Sequence, residues 1–241
     1  SEILEIYQEA SSLKGVSIIG IDFHIGSQII DIKPFEESVL KIIAIIKNLK
    51  KNNIILSHID IGGGLGIKYE NEISPDKNLF ISSITDLLKP FDVTILIEPG
   101  RSIVGEAGLL ISKVINTKKT TSKEFIIVDA GMNDLLRPPL YNAHHQIKEV
   151  KRNSNEKVLC DVVGPVCETA DFLGKNRNLS LVKDDFIAVE SVGAYGFSLS
   201  SNYNTRLKAA EYLIEKDGVT IKKIRERDSI DQILENEIKH L

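Results

Sequence analysis

The hydrophobic period of the chain changes near residue 104, and that change limits the folds open to it. Up to that point apolar runs of strand character alternate with segments whose apolar residues recur at helical spacing. Beyond it, short β-like runs follow one another with few helical stretches between them. Alternation of the first kind implies parallel strands joined by crossover helices. The sequence therefore predicts two domains, 1–104 and 105–241, the first α/β and the second mostly β.

In the first part, Ile3, Leu4, Ile6, Tyr7, Ala10 and Leu13 mark a helix stopped by Gly15, and Val16–Phe23 reads as a strand. Pro34 sits as a first-turn proline before Val39, Leu40, Ile42, Ile43, Ile46 and Leu49, one buried helical face. Ile54–Ile59 is the next expected strand. Ser74-Pro75 is expected to open a helix with Leu79, Ile84, Leu87 and Leu88 inward, and Val93–Ile97 forms a third strand. In the second part, strands are expected at Leu109–Ile115, Phe125–Asp129, Val158–Val163, Phe186–Glu190 and Thr220–Ile224. Ser229 and Gln232 form a capping box ahead of a last helix.

Composition narrows the function. A net charge of -4 with no clustered basic excess argues against a nucleic-acid partner. No apolar run approaches the ~18 residues that cross a bilayer. The two cysteines, Cys160 and Cys167, make neither a disulfide framework nor a Cys-x-x-Cys metal spacing, so a reducing cytoplasmic setting is expected and no metal site is assigned.

Chemistry is concentrated where the first three strands end, as it is in parallel α/β folds. His24, Gly26 and Ser27 follow the first. Gly62, Gly63, Gly64 and Gly66 follow the second, a cluster that lets backbone N–H groups approach an anion but matches neither a dinucleotide nor a Walker loop. Glu98-Pro99-Gly100-Arg101 follows the third, and reads equally as an ion pair or as an acid and a base facing a ligand. In the second part, Arg137 and Tyr141 lie one helical turn apart, and Arg137 has the fork that grips a carboxylate. Cys167 and Glu168 sit side by side on a turn, whereas Cys160 reads as a small buried hydrophobe. Tyr195 stands between glycines as a packed aromatic or a phosphate-reaching hydroxyl. The doublet His144-His145 reads as surface or loop.

Together the segments Phe23–Gln28, Asp60–Ile67, Glu98–Val104, Val128–Tyr141, Asp161–Gly174 and Gly193–Asn204 resemble the diaminopimelate decarboxylases, within the alanine-racemase-type pyridoxal-phosphate decarboxylases. The resemblance implies a partial (β/α)8 TIM-type barrel followed by a β-barrel-like domain. The cofactor implied is pyridoxal 5'-phosphate: His24 against its ring, Ser27, Gly62, Gly63, Gly64, Gly100, Arg101 and Tyr195 around its phosphate, and Glu98 on the ring nitrogen. It implies Arg101, Arg137, Tyr141, Glu168 and Tyr195 as substrate contacts for meso-diaminopimelate, and Cys167 and His24 as catalytic residues. A homodimer is implied, with Cys167 and Glu168 reaching the neighbouring subunit's site. The family's cofactor-linking lysine lies in an upstream segment that nothing in this chain matches. The chain is thus expected to be a C-terminal portion, inactive alone. The alternatives are a noncatalytic relative and a decarboxylase of related polyamine or basic amino-acid substrates.

Overall fold

The computed structural model describes residues 2–151 and 156–240, which divide after Gly105 into two compact units. In the first, helix α1 (Glu2–Ser12), strand β1 (Gly20–Asp22), α2 (Lys33–Lys51), β2 (His58–Asp60), α3 (Lys77–Leu88), β3 (Thr94–Leu96) and the short α4 (Arg101–Val104) follow in order. The strands form a parallel sheet, β1-β2-β3, in register from Gly20↔His58↔Thr94 to Asp22↔Asp60↔Leu96. All three carboxyl ends therefore face one way.

Helix α2 buries the stripe that its periodicity predicts. Phe35, Val39, Ile42, Ile43, Ile46 and Leu49 are inside, each side chain contributing on the order of 1.5–3 kcal/mol when fully buried. Phe35 meets Phe80 of α3 edge-on, with ring centroids 4.9 Å apart. Helix α3 differs from expectation. Asp76 caps it, accepting from the N–H groups of Asn78 and Leu79 at 2.8 and 3.2 Å, while the Ser74 hydroxyl accepts from Lys68 N–H at 2.9 Å. Starting two residues later turns Phe80, Ile84 and Leu88 inward and leaves Leu79 exposed. Strand β2 also begins later than expected, because Ile54 closes the end of α2 by donating to the Leu49 carbonyl.

The second unit holds β4 (Leu110–Lys119), β5 (Glu124–Val128), α5 (Arg137–Tyr141), β6 (Ile147–Glu149), β7 (Val158–Val163), β8 (Phe172–Leu179) and β9 (Phe186–Val189), then a hairpin, β10 (Glu211–Ile214) and β11 (Ile221–Arg225), and α6 (Ile230–Ile238). Six strands make one mixed sheet in the order β6-β9-β4-β5-β7-β8, with only β5 and β7 parallel. The sheet curls into a nearly closed barrel, whose end strands β6 and β8 approach one another. A Cβ placed on Gly174 of β8 would lie 2.8 Å from Ile147 Cδ1 of β6. Val114, Ile126, Val128, Val162, Leu173 and Ile187 fill the interior. Strands β6, β8 and β10 are absent from the sequence-based expectation. Among the described residues, no helix is long and apolar enough to cross a membrane.

Candidate functional site

The loops after β1, β2 and β3 are knitted together by their backbones. Ile29 N–H donates to the Gly64 carbonyl at 2.9 Å, Gly66 N–H to Ile29 at 2.8 Å, and Glu98 N–H to Gly62 at 2.9 Å. Two glycines are required by this closeness. A Cβ on Gly63 would fall 2.4 Å from the Glu98 carbonyl oxygen, and one on Gly64, whose φ is +98°, would fall 2.1 Å from that of Gly26. Gly63 N–H donates to His24 Nδ1 at 3.2 Å. His24, the glycine loop and Glu98 are thus one assembly.

Arg101 opens α4 directly after Gly100. Its guanidinium donates to the Tyr69 hydroxyl at 2.7 Å and to Ser27 Oγ at 3.0 Å, and lies 5.5 Å from the centre of the Tyr69 ring. A cation and two hydroxyls form a donor set suited to a phosphate. Glu98 stands with the strand-end acids Asp22 and Asp60, their oxygens all within 4.8 Å of one another. Asp60 also accepts from Gly62 N–H at 2.9 Å. Three carboxylates so close together favour a positive group beside them.

In the second unit Arg137 is only 7% exposed, and its guanidinium lies 2.8 Å from His145 Nε2. Opposite, His145 Nδ1 is 2.9 Å from the Glu190 carbonyl oxygen. His145 lies in the loop before β6, one of the two readings of the doublet, but it is completely buried and not at the surface; His144 pairs with Arg177. Tyr141, at the other end of α5, is 64% exposed. Glu168 accepts from the Tyr203 hydroxyl, and that contact raises the Tyr203 pKa. Cys167 is exposed beside it. Tyr195, half-exposed, adopts a φ of 60°.

Asp171, buried at 4% exposure, joins the two loops that carry these groups. Its carboxylate accepts from Met132 N–H on the segment leading to Arg137 and from Val166 N–H beside Cys167, both at 2.6 Å. Burial pushes its pKa up, and the two N–H bonds pull it back.

The family described as "Pyridoxal-dependent decarboxylase, C-terminal sheet domain" matches residues 11–193. This chain belongs to the pyridoxal-dependent decarboxylases. Among curated members it is 48% identical over 231 residues to diaminopimelate decarboxylase of Aquifex aeolicus, covering 95% of this chain and 54% of that protein. It is 43% identical over 235 residues to the Haemophilus influenzae enzyme of the same name, covering 97% and 56%. Among solved structures, diaminopimelate decarboxylase from Helicobacter pylori complexed with L-lysine superposes with a TM-score of 0.90 at 42% identity, covering 100% of this chain and 59% of that one. The chain thus spans little more than half the length of these relatives.

Within this pyridoxal-dependent decarboxylase sequence, residue-level reasoning missed Tyr69, Asp171, His145 and Tyr203 as partners of the candidate groups. Tyr69 and Tyr203 carry no local signal. Asp171 lies three residues beyond Glu168, at a spacing that suits a turn-closing acid. His145 was visible, but only the fold reveals that one histidine of the doublet points inward.

Proposed function

We propose that this chain is the C-terminal portion of a pyridoxal-phosphate-dependent decarboxylase that converts meso-diaminopimelate to L-lysine and carbon dioxide, its three βα units belonging to a larger (β/α)8 barrel. The observation that carries the reading is the assembly at the strand ends. Arg101 with Ser27, His24 against the glycine loop, and Glu98 among acids form the donor and acceptor set that this cofactor requires.

The residues fit the group. Arg101 and Ser27 would hold its phosphate, with the Gly62–Gly64 loop and Gly100 around it. His24, fixed by the Gly63 N–H at the end of β1, would pack against its ring. Glu98, in the negative field of Asp22 and Asp60, keeps the ring nitrogen protonated. When bound, the cofactor would supply the electron sink that makes loss of the substrate carboxylate as carbon dioxide feasible.

The remaining groups select the substrate. Arg137 forks onto the distal carboxylate with Tyr141 beside it, and Glu168 accepts from the distal ammonium. Cys167, an exposed thiol next to Glu168, moves a proton at the substrate carbon. Cys167 and Glu168 serve the neighbouring subunit of a homodimer. Ornithine has no distal carboxylate to meet Arg137, which separates this reading from a polyamine-pathway decarboxylase.

The test uses the longer polypeptide that carries this chain, supplied with cofactor. It should release carbon dioxide from meso-diaminopimelate and not from ornithine, and Arg137→Ala should raise KM for the former at least about tenfold, the loss of one charge-assisted fork. Equal turnover of both substrates, or an unchanged KM, overturns the assignment.

A further inference from the structure

The buried pair of Arg137 and His145 has a polarity that its geometry dictates. A backbone carbonyl only accepts, so His145 Nδ1, 2.9 Å from the Glu190 oxygen, must carry the proton. A guanidinium only donates, so Nε2, 2.8 Å from the Arg137 Nη1 atom, must present its lone pair. One ring therefore bridges a strand end and a guanidinium, as a neutral imidazole in a single tautomer.

We infer that His145 is the positioning residue of substrate recognition: it holds the Arg137 guanidinium at a fixed angle, so that the fork meets a carboxylate without first having to be ordered. The assignment rests on the proposed role of Arg137. Three features converge on it. Arg137 is the first residue of α5, followed by Pro138 and Pro139, so its backbone is fixed at the helix start. Its side chain is buried, and a buried guanidinium must have its N–H groups met. Finally, the acceptor is neutral. A carboxylate in place of His145 would neutralise Arg137 and compete with an incoming anion, whereas an imidazole lone pair orients the cation without adding a negative charge of its own beside it.

The experiment uses the longer polypeptide that carries this chain, kept free of cofactor so that nothing turns over, and two substitutions that divide the ring's two roles. His145→Gln carries an acceptor out to the Nε2 position, and His145→Asn carries a donor at the Nδ1 position only. Nitrogen-15 spectra of the unaltered chain at neutral pH should show a protonated Nδ1 and an unprotonated Nε2 for His145. The Arg137 side-chain N–H resonances should be sharp there and in His145→Gln, and broadened by free rotation in His145→Asn. Titration with meso-diaminopimelate should be about tenfold weaker for His145→Asn than for His145→Gln, with L-lysine affinity equal in both, as expected for one hydrogen bond to a charged group. An Nε2-protonated ring, or Arg137 signals as sharp in His145→Asn as in the unaltered chain, overturns the inference. If the spectra agree but the unaltered chain binds meso-diaminopimelate no better than L-lysine, then the substrate role of Arg137 fails and His145 is an orienting partner without a recognition function.

Discussion

The two cysteines differ by environment more than by sequence. Cys160 lies in β7 among core residues and its Sγ is 3.4 Å from the Arg177 carbonyl. Burial, followed by the negative charge of Asp161, pushes its thiol pKa up to about 11. Cys167 is exposed on a turn. Because the thiolate is the nucleophile, iodoacetamide should modify one thiol of the native protein and two after denaturation, with peptide mass spectrometry placing the native adduct at Cys167. Labelling of native Cys160 at a comparable rate refutes this. The contrast was legible in the sequence, since Cys160 stands in an apolar strand and Cys167 follows Gly164-Pro165. The partners of Arg137 and Glu168 were not legible. His145 and Tyr203 reach them through tertiary folding, and no local period encodes a contact across 8 or 35 residues.

At the scale of elements, periodicity located what it could measure. Strand β7 and helix α2 declared themselves by burying continuous apolar faces, and the Ser229–Gln232 capping box forms as read. Strand β8 was hidden because Lys175, Asn176 and Arg177 interrupt its pattern where the β7–β8 register shifts and Asn176 takes a φ of 54°. That irregularity has a chemical anchor in Asp161. Its carboxylate accepts from Lys123, just before β5, and from Asn176 N–H of β8 at 2.8 Å, tying three strands. Burial alone would raise the Asp161 pKa, but the Lys123 and Asn176 bonds outweigh it and hold the group below the ordinary carboxylate value. A carboxyl depressed in the folded state stabilises the fold above its unfolded value of about 4 and loses that contribution as pH falls through its folded value. Asp161→Asn should therefore cost about 1.5–3 kcal/mol near neutral pH, the worth of hydrogen bonds to a charged group. The difference from the unaltered protein should close in acid. Urea unfolding at a series of pH values measures this, and a penalty that stays constant with pH counts against the linkage.

At the scale of the whole molecule, each unit has its own buried cluster, but their sheets end differently. The barrel of the second unit brings its end strands together. The parallel sheet of the first has β1 and β3 at its edges, with no further strand beside either among the described residues. Parallel sheets are normally covered, and an uncovered edge offers N–H and C=O groups to another chain. Here the edge is also apolar: Leu96 of β3 is 42% exposed, and Ile19, just before β1, is 58% exposed. The net charge of -4 gives only modest repulsion against pairing. The chain is therefore expected to self-associate with rising concentration, and Leu96→Lys should weaken that association by placing a charge on the edge. Light scattering across a concentration series separates two origins. Association through the β3 edge falls in Leu96→Lys, whereas a dimer built by the loops around Cys167 and Glu168 is indifferent to it and responds to substitutions in those loops. If the chain stays monomeric at all concentrations, the edge is protected by its twist and short length, and both routes to association fail together.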